Sequence, residues 1–488
     1  MTPSAVRVPA EPTILIVGGG YSGAAVAFHL ARRSDPVAHI VVVEPRERLG
    51  GGLAYSSPDP SHRVNVPARR MSLSTEEPDG FSRWLDETQA AAADGEALAL
   101  GGELFPQRSV FGRYVESRVA PFVRAGRIEQ IRARAVAARR EGARYRVELD
   151  DGRVLVADAL VLAATHPPPS IPGPLRAIAD RPGFYANPYD TDRLDEIAPQ
   201  DRVLVVGTGL TMADTVASLD RRGHRGPILA LSRHGWRSRG HPARPVEAFG
   251  DFSSKPAGTV GELFRRVRAE LASAASDGLP WQAVFDALRQ QGPAIWSALP
   301  APERARLLRH GRTLWDVHRF RIAPQVEAVL DRSIAEGTLA VIAASLRSSA
   351  AEEDGALSVT LRRRHQSVEE TRTFDRIVVT TGPGHGDVTR TDPLLASLVA
   401  EGEIGPDRLG LGIHTSRESR AIGSDDRARP SLFVAGPLGR ATFGELMGLP
   451  EVTASAERVA DGVARFIEDE RTVEAQTIVA DETFLPAH

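Results

Sequence analysis

The stretch Thr13-Ile-Leu-Ile-Val-Gly18-Gly-Gly20-Tyr-Ser-Gly23 does most to limit what this chain can become. The apolar run Ile14 to Val17 predicts a buried parallel strand. It breaks into Gly18-x-Gly20-x-x-Gly23, and Ala24 to Arg33 follows with Ala24, Ala27, Phe28 and Ala31 at helical spacing. A second strand, His39 to Val43, ends in Glu44. Each glycine has a physical task. Gly18 allows a tight turn, Gly20 lets backbone approach a pyrophosphate at a helix N-terminus, and Gly23 lets helix and strand pack closely. Glu44 stands where a carboxylate accepts from ribose hydroxyls. Strand, glycine turn, helix and acid in this order predict a dinucleotide site.

A second copy of the pattern follows. Arg202-Val-Leu-Val-Val-Gly207-Thr-Gly209-Leu-Thr211-Met-Ala-Asp214 is again strand, glycine turn, helix. Met212 occupies the third glycine position, and Ala213 is the small residue left for close packing. The next strand, Ile228 to Leu231, ends in Ser232-Arg233. Glu44 lies 26 positions after Gly18, and Arg233 lies 26 after Gly207. A carboxylate suits a free 2′-hydroxyl, whereas a guanidinium accommodates a 2′-phosphate. The first site therefore reads as FAD and the second as NADPH. The competing reading of Arg233 is a surface arginine at a strand end.

The expected fold is α/β, with two Rossmann-like dinucleotide-binding domains, β-hairpin connections and a helical insertion. Residues 1–195 read as the first part of the FAD domain and 196–375 as the NADPH domain, with the insertion at about 250–325. Residues 376–488 read as the C-terminal part of the FAD domain. Asp150-Asp-Gly152 between alternating runs signals a hairpin. The apolar strands Ala159–Ala164 and Arg376–Thr380 mirror one another, each running into small residues and then proline.

Composition removes several classes. A length of 488 residues exceeds one simple core, and a net charge of −3 provides no field for nucleic acid. With no cysteine there is no disulfide framework, dithiol redox centre or thiolate metal site. Lys255 is the only lysine, and it lies in no phosphate-binding P-loop. The arginine-rich run from Arg124 to Arg140 reads as a solvated face. No segment has the pattern of a leader or a membrane span, so the expectation is a soluble, cytoplasmic protein without a metal. The oligomeric state stays open.

Near the end, Ser431-Leu-Phe-Val-Ala-Gly436-Pro437-Leu438 is a strand and glycine turn leading towards a helix from about Glu451. Backbone N–H groups there would suit negative charge on a reduced flavin. In the helical insertion, Trp315-Asp316-Val-His318-Arg319-Phe-Arg321 reads equally well as an anion site or as helix surface with an aromatic anchor.

Together these pieces resemble the bacterial FAD-NAD(P)-binding proteins that include FAD-dependent urate hydroxylase, and more broadly the two-dinucleotide flavoprotein monooxygenases. The likeness rests on Gly18 to Gly23, Gly52-Leu-Ala-Tyr55, Val64-Asn65-Val-Pro67 with Met71-Ser72, and Arg108 with Phe111-Gly112-Arg-Tyr114. It continues through Val206 to Asp214, Ser232-Arg233, Trp315 to Arg319 and Ala435 to Leu438. It implies hydride transfer from NADPH to FAD and then transfer of one oxygen atom from O2 to a small nitrogen-bearing substrate, by urate-like ring hydroxylation or by N-hydroxylation of an amine or amino acid. It also implies cofactor contacts at Tyr21, Ser22, Tyr55, Asn65, Arg108 and Thr211, beside those already named. Asn65, Met71 and His318 are the expected positioning or catalytic residues, and histidines 62, 166, 234 and 241 are further proton carriers to weigh. The alternative is a flavin reductase or dehydrogenase that inserts no oxygen. Neither reading calls for a nucleic-acid or membrane partner.

Overall fold

The computed structural model describes residues 11–34, 38–99, 101–164, 167 and 169–483. His166 lies outside them. The first unit is built on β1 (Thr13–Val17), β2 (His39–Val43) and β3 (Ile128–Ile131). A three-stranded antiparallel ribbon follows: β4 (Ala135–Glu141), β5 (Arg144–Leu149) and β6 (Val154–Ala157). The chain then re-enters the sheet as β7 (Ala159–Leu162). β1 lies between β2 and β7, parallel to both. Ile14, Leu15 and Ile16 have no exposure at all, which is why the run is continuous rather than alternating. Each such side chain contributes about 1.5–3 kcal/mol by burial.

The second unit repeats the plan. It contains β8 (Phe184–Tyr185), β9 (Val203–Val206), β10 (Ile228–Ser232), β11 (Leu339–Ala351), β12 (Leu357–Arg363), β13 (Glu369–Phe374) and β14 (Arg376–Val379). Their sheet order is β13-β12-β11-β10-β9-β14-β8. This sheet reaches beyond the expected 196–375 unit at both ends, because β8 and β14 pair with each other and β14 pairs with β9. Short apolar strands on either side of a linker carry no mark of which sheet they join. The chain then returns to the first sheet through β15 (Arg420–Ile422) and β16 (Ala428–Val434), the latter parallel to β7. The outgoing and returning segments touch at a bridge between Pro169 and Pro383.

Five helices from Val260 to Arg319 interrupt the β10–β11 crossover. They begin about ten residues later than expected, since 249–259 is irregular. Helix Pro324–Ala335 belongs to the nucleotide unit itself and is tied to its first helix by Arg332–Asp220 at 2.6 Å. The insertion packs against the C-terminal part of the first unit. Trp296 Nε1 donates to the Ala441 carbonyl at 2.8 Å, and Arg289 pairs with both Glu451 oxygens at 2.7 Å. Among the described residues no helix is long and apolar enough to cross a membrane.

Candidate functional site

Both glycine turns lead into helices whose N-termini carry no side-chain cap and no acid in the first turn: Tyr21–Ala31 after Gly20, and Leu210–Arg221 after Gly209. Two helices elsewhere are capped by side chains, Thr259 accepting from Glu262 N and Asp392 from Leu395 N, while others, such as Arg108–Arg124 and Trp281–Gln290, are uncapped like these two. The uncapped ends leave backbone donors and the positive end of the helix dipole for an anion.

At the first turn, Gly18 has φ +99°, and a Cβ on it would meet the Ala163 carbonyl oxygen at 2.3 Å. A Cβ on Gly23 would lie 1.8 Å from the Gly18 oxygen. Gly20 differs: a Cβ there meets only the Gly52 Cα, at 3.4 Å, so that face is free for close approach. A Cβ on Gly436 would strike the Ser22 hydroxyl at 2.4 Å, so the C-terminal turn sits directly over the first helix's N-terminus. The structure thus brings Gly18, Gly20, Ser22, Gly23 and Gly436, with Pro437 next in the chain, together at the N-terminus of the first helix. Leu438 is buried in the core beneath, its carbonyl accepting from Ile413 N.

Glu44 is 3 % exposed, and its Oε2 accepts from Gly19 N at 2.9 Å. Oε1 accepts from the Arg46 backbone and guanidinium, each at 3.0 Å. The carboxylate therefore orders the turn, while Oε2 keeps one lone pair for a ribose hydroxyl. Arg46 is a partner that the glycine–acid spacing does not reveal.

Several expected contacts have other occupations. The helix starts at Tyr21, which turns that ring inward. Its hydroxyl donates to the Ser72 carbonyl at 2.7 Å and lies 2.6 Å from the Thr453 hydroxyl. The ring stacks on Phe111 at 5.7 Å. Burial raises its hydroxyl pKa well above the ordinary value. Tyr55 packs on the same Phe111, and burial, opposed by Arg108, pushes its hydroxyl to about 12. Met71 is buried in the same core. His318 lies in the insertion, stacked on Phe285 at 4.7 Å and edge-on to Trp281 at 4.9 Å, with Nδ1 donating to the Leu314 carbonyl. Trp315 stacks on Phe285 as well, and Arg319 and Arg321 pair with Glu445 and Asp286 at 3.1 and 3.0 Å. The packing reading of that segment is the one realised. Asn65 contributes its carbonyl to His241 Nε2 at 3.0 Å.

Arg108 is committed to Asp214 of the second unit, Nη1 to Oδ2 at 2.8 Å and Nη2 to Oδ1 at 3.0 Å. Two further contacts lie on the same helix face, four and eight residues on. His62 Nε2 reaches the Ser218 hydroxyl at 3.1 Å, and Arg222 donates to Asp59 at 2.6 Å. Residues 214, 218 and 222 form one stripe on a helix. Burial alone would raise the Asp59 carboxyl, but hydrogen bonds from Arg222 and Ser218 outweigh it and hold it at about 2. Burial lowers the His62 imidazole, which stays neutral between its two serines. These residues fix the two nucleotide units against each other.

At the second turn Gly207 has φ +122°, and a Cβ there would meet the Thr380 carbonyl at 2.4 Å. Nothing lies within 4 Å of a Cβ on Gly209. The Thr211 carbonyl accepts from Thr215, and the Ser232 hydroxyl accepts from Gly235 N at 3.0 Å, so Ser232 shapes the turn. Arg233 is exposed and lines a cleft of about 510 Å³ together with Arg362, Arg363 and Arg364.

The chain has the two-domain fold of flavoproteins that bind FAD and NADP. Residues 15–167 match the model of a family described as FAD-NAD(P)-binding. The ornithine N-hydroxylase of Kutzneria sp. 744, solved with reduced FAD, NADP+ and L-ornithine, is similar over 95% of this chain and 100% of that one, at TM-score 0.62 and 17% identity. The L-lysine 6-monooxygenase of Pseudomonas syringae is similar over 93% of this chain and 99% of its own, at 0.61 and 18%. The bacillithiol disulfide reductase of Bacillus cereus covers 94% and 99%, at 0.50 and 14%. No curated protein matches the sequence.

Proposed function

We propose that the protein is an NADPH-dependent FAD monooxygenase that inserts one oxygen atom from O2 into a small nitrogen-containing substrate, by N-hydroxylation of an amine or amino acid. The carrying observation is the pair of uncapped helix N-termini behind glycine turns, held in one orientation, with a carboxylate at one ribose position and a guanidinium at the other. Amine hydroxylation is favoured over urate-like ring hydroxylation because the full-length structural neighbours include ornithine and lysine hydroxylases. The reductase fold-mates carry less weight, since a chain without cysteine cannot run dithiol exchange.

Bound FAD supplies the hydride acceptor and the oxygen activation. The chain's own residues do the rest. Gly18, Gly20 and Gly23 let backbone donors reach the pyrophosphate, and Glu44 meets the ribose. Gly207 and Gly209 repeat the cradle, and Arg233 faces the 2′-phosphate. The insertion is docked on the C-terminal part of the first unit through Ala441 and Glu451.

The test is anaerobic addition of NADPH to the FAD-loaded protein, followed by isotopically heavy O2 and candidate amines, amino acids and urate. Bleaching of the flavin and one heavy oxygen atom in the organic product are expected. Bleaching followed only by hydrogen peroxide or reduced acceptor, across all substrates, would establish a reductase or dehydrogenase. Without bleaching, the assignment of the second unit fails.

A further inference from the structure

The β11–β12–β13 ribbon does more than connect strands. β11 pairs with β10 so that Ala343 lies beside Ser232, and it then runs eight residues past the C-terminal edge of the sheet. β12 returns antiparallel, with Arg363 opposite Ala344 and Arg364 N donating to the Ala343 carbonyl at 2.8 Å. The end of the return strand is therefore brought back to the level at which β10 ends. That edge is where ligands sit in a doubly wound sheet. Arg364 stands two ladder steps from Arg233, about 10 Å between backbones. Two arginine side chains span that gap, and both line the same cleft.

The charge there is only partly compensated. Arg363 pairs with Glu370 at 2.9 Å. Among the described residues no carboxylate pairs with Arg233, Arg362 or Arg364, although ion pairs are frequent elsewhere on this surface. Arg364 is also held in place. Its Nη1 donates to His234 Nδ1 at 2.9 Å, and the His234 ring stacks on Trp236 at 4.8 Å and 22°. A guanidinium only donates, so His234 is neutral here and carries its proton on Nε2.

We infer that Arg364, with Arg362 beside it, joins Arg233 as a second reader of the coenzyme 2′-phosphate, making the ribbon the element that selects NADPH over NADH. This rests on the second unit being the NADPH site. Two planar forks on one phosphate supply more charge-assisted hydrogen bonds, and more positive charge, than the single fork of one strand-end arginine.

The test is calorimetric titration of the full-length, FAD-loaded protein with NADP+ and with NAD+. The unaltered protein should bind NADP+ more tightly. Arg364→Ala should weaken NADP+ by about ten- to a hundred-fold, the worth of a charge-assisted hydrogen bond, and leave NAD+ within about two-fold. Arg364→Lys should fall between, keeping charge but losing the fork. Arg372→Ala, on the same ribbon but paired with Glu370, should change neither affinity. Equal loss for both coenzymes, or no loss, overturns the role of Arg364 and leaves the second site standing. An unaltered protein that binds NAD+ as tightly as NADP+ overturns the phosphate reading while leaving the oxidoreductase fold. Binding of neither coenzyme would overturn both.

Discussion

The two nucleotide units share a plan and differ in tightness. In the first, strand, turn and helix are jammed together: a single methyl on Gly23 would lie 1.8 Å from a backbone oxygen. In the second, the same position is Met212, fully buried, so a side chain stands where the first unit has backbone against backbone. The first acid is turned inward to order its own loop, whereas Arg233, Arg362 and Arg364 of the second unit are exposed and, among the described residues, pair with no carboxylate. A rigid, self-satisfied cradle suits a group that stays bound. A looser turn with an open, charged rim suits one that comes and goes. Identical motifs thus divide the work through what surrounds them.

That contrast can be broken, most severely at Gly23. Gly23→Ala should leave no flavin-replete folded protein, read by flavin absorbance of the purified chain; a soluble, yellow variant would remove the claim of tightness. Next in size, Asp214→Ala strands Arg108 at the interface and should cost about 3–5 kcal/mol in thermal or denaturant unfolding. The Arg108→Ala/Asp214→Ala double variant should recover part of that loss. Arg233→Ala should cost about 1.5–3 kcal/mol in kcat/KM with NADPH and little with NADH. Equal responses would make Arg233 mere surface. Gly209→Ala, with nothing within 4 Å, should unfold within about 1 kcal/mol of the parent while weakening NADPH. A last effect concerns pH. Burial, helped by Arg321, lowers His241 from 6.5 to about 4 against its hydrogen bond to Asn65. The unfolded chain then binds the extra proton first, so stability declines as pH falls from about 6.5 towards 4 and is full above that window. His241→Gln should flatten the slope.

The glycine turns were readable because strand, turn and helix are contiguous, and their steric demands act within a few residues. The acid and arginine positions followed from the same short spacing. Arg108 was not readable, because its partner Asp214 lies in another unit. The direction of the Tyr21 side chain was not readable: the helix begins one residue after Gly20, which aims its ring at Phe111 and its hydroxyl at Ser72. Arg364 left no local signal at all, being one arginine in a chain full of them. Only strand register sets it beside Arg233.

By itself, then, the sequence determined two strand–glycine–helix units and the sign of charge at the end of each second strand. Those depend on local sterics and spacing. Tertiary structure decided which sheet β8 and β14 join, which face of the second helix docks on Arg108, His62 and Asp59, and which arginines meet along one cleft. Those depend on contacts between residues far apart in the chain, and no local pattern encodes them.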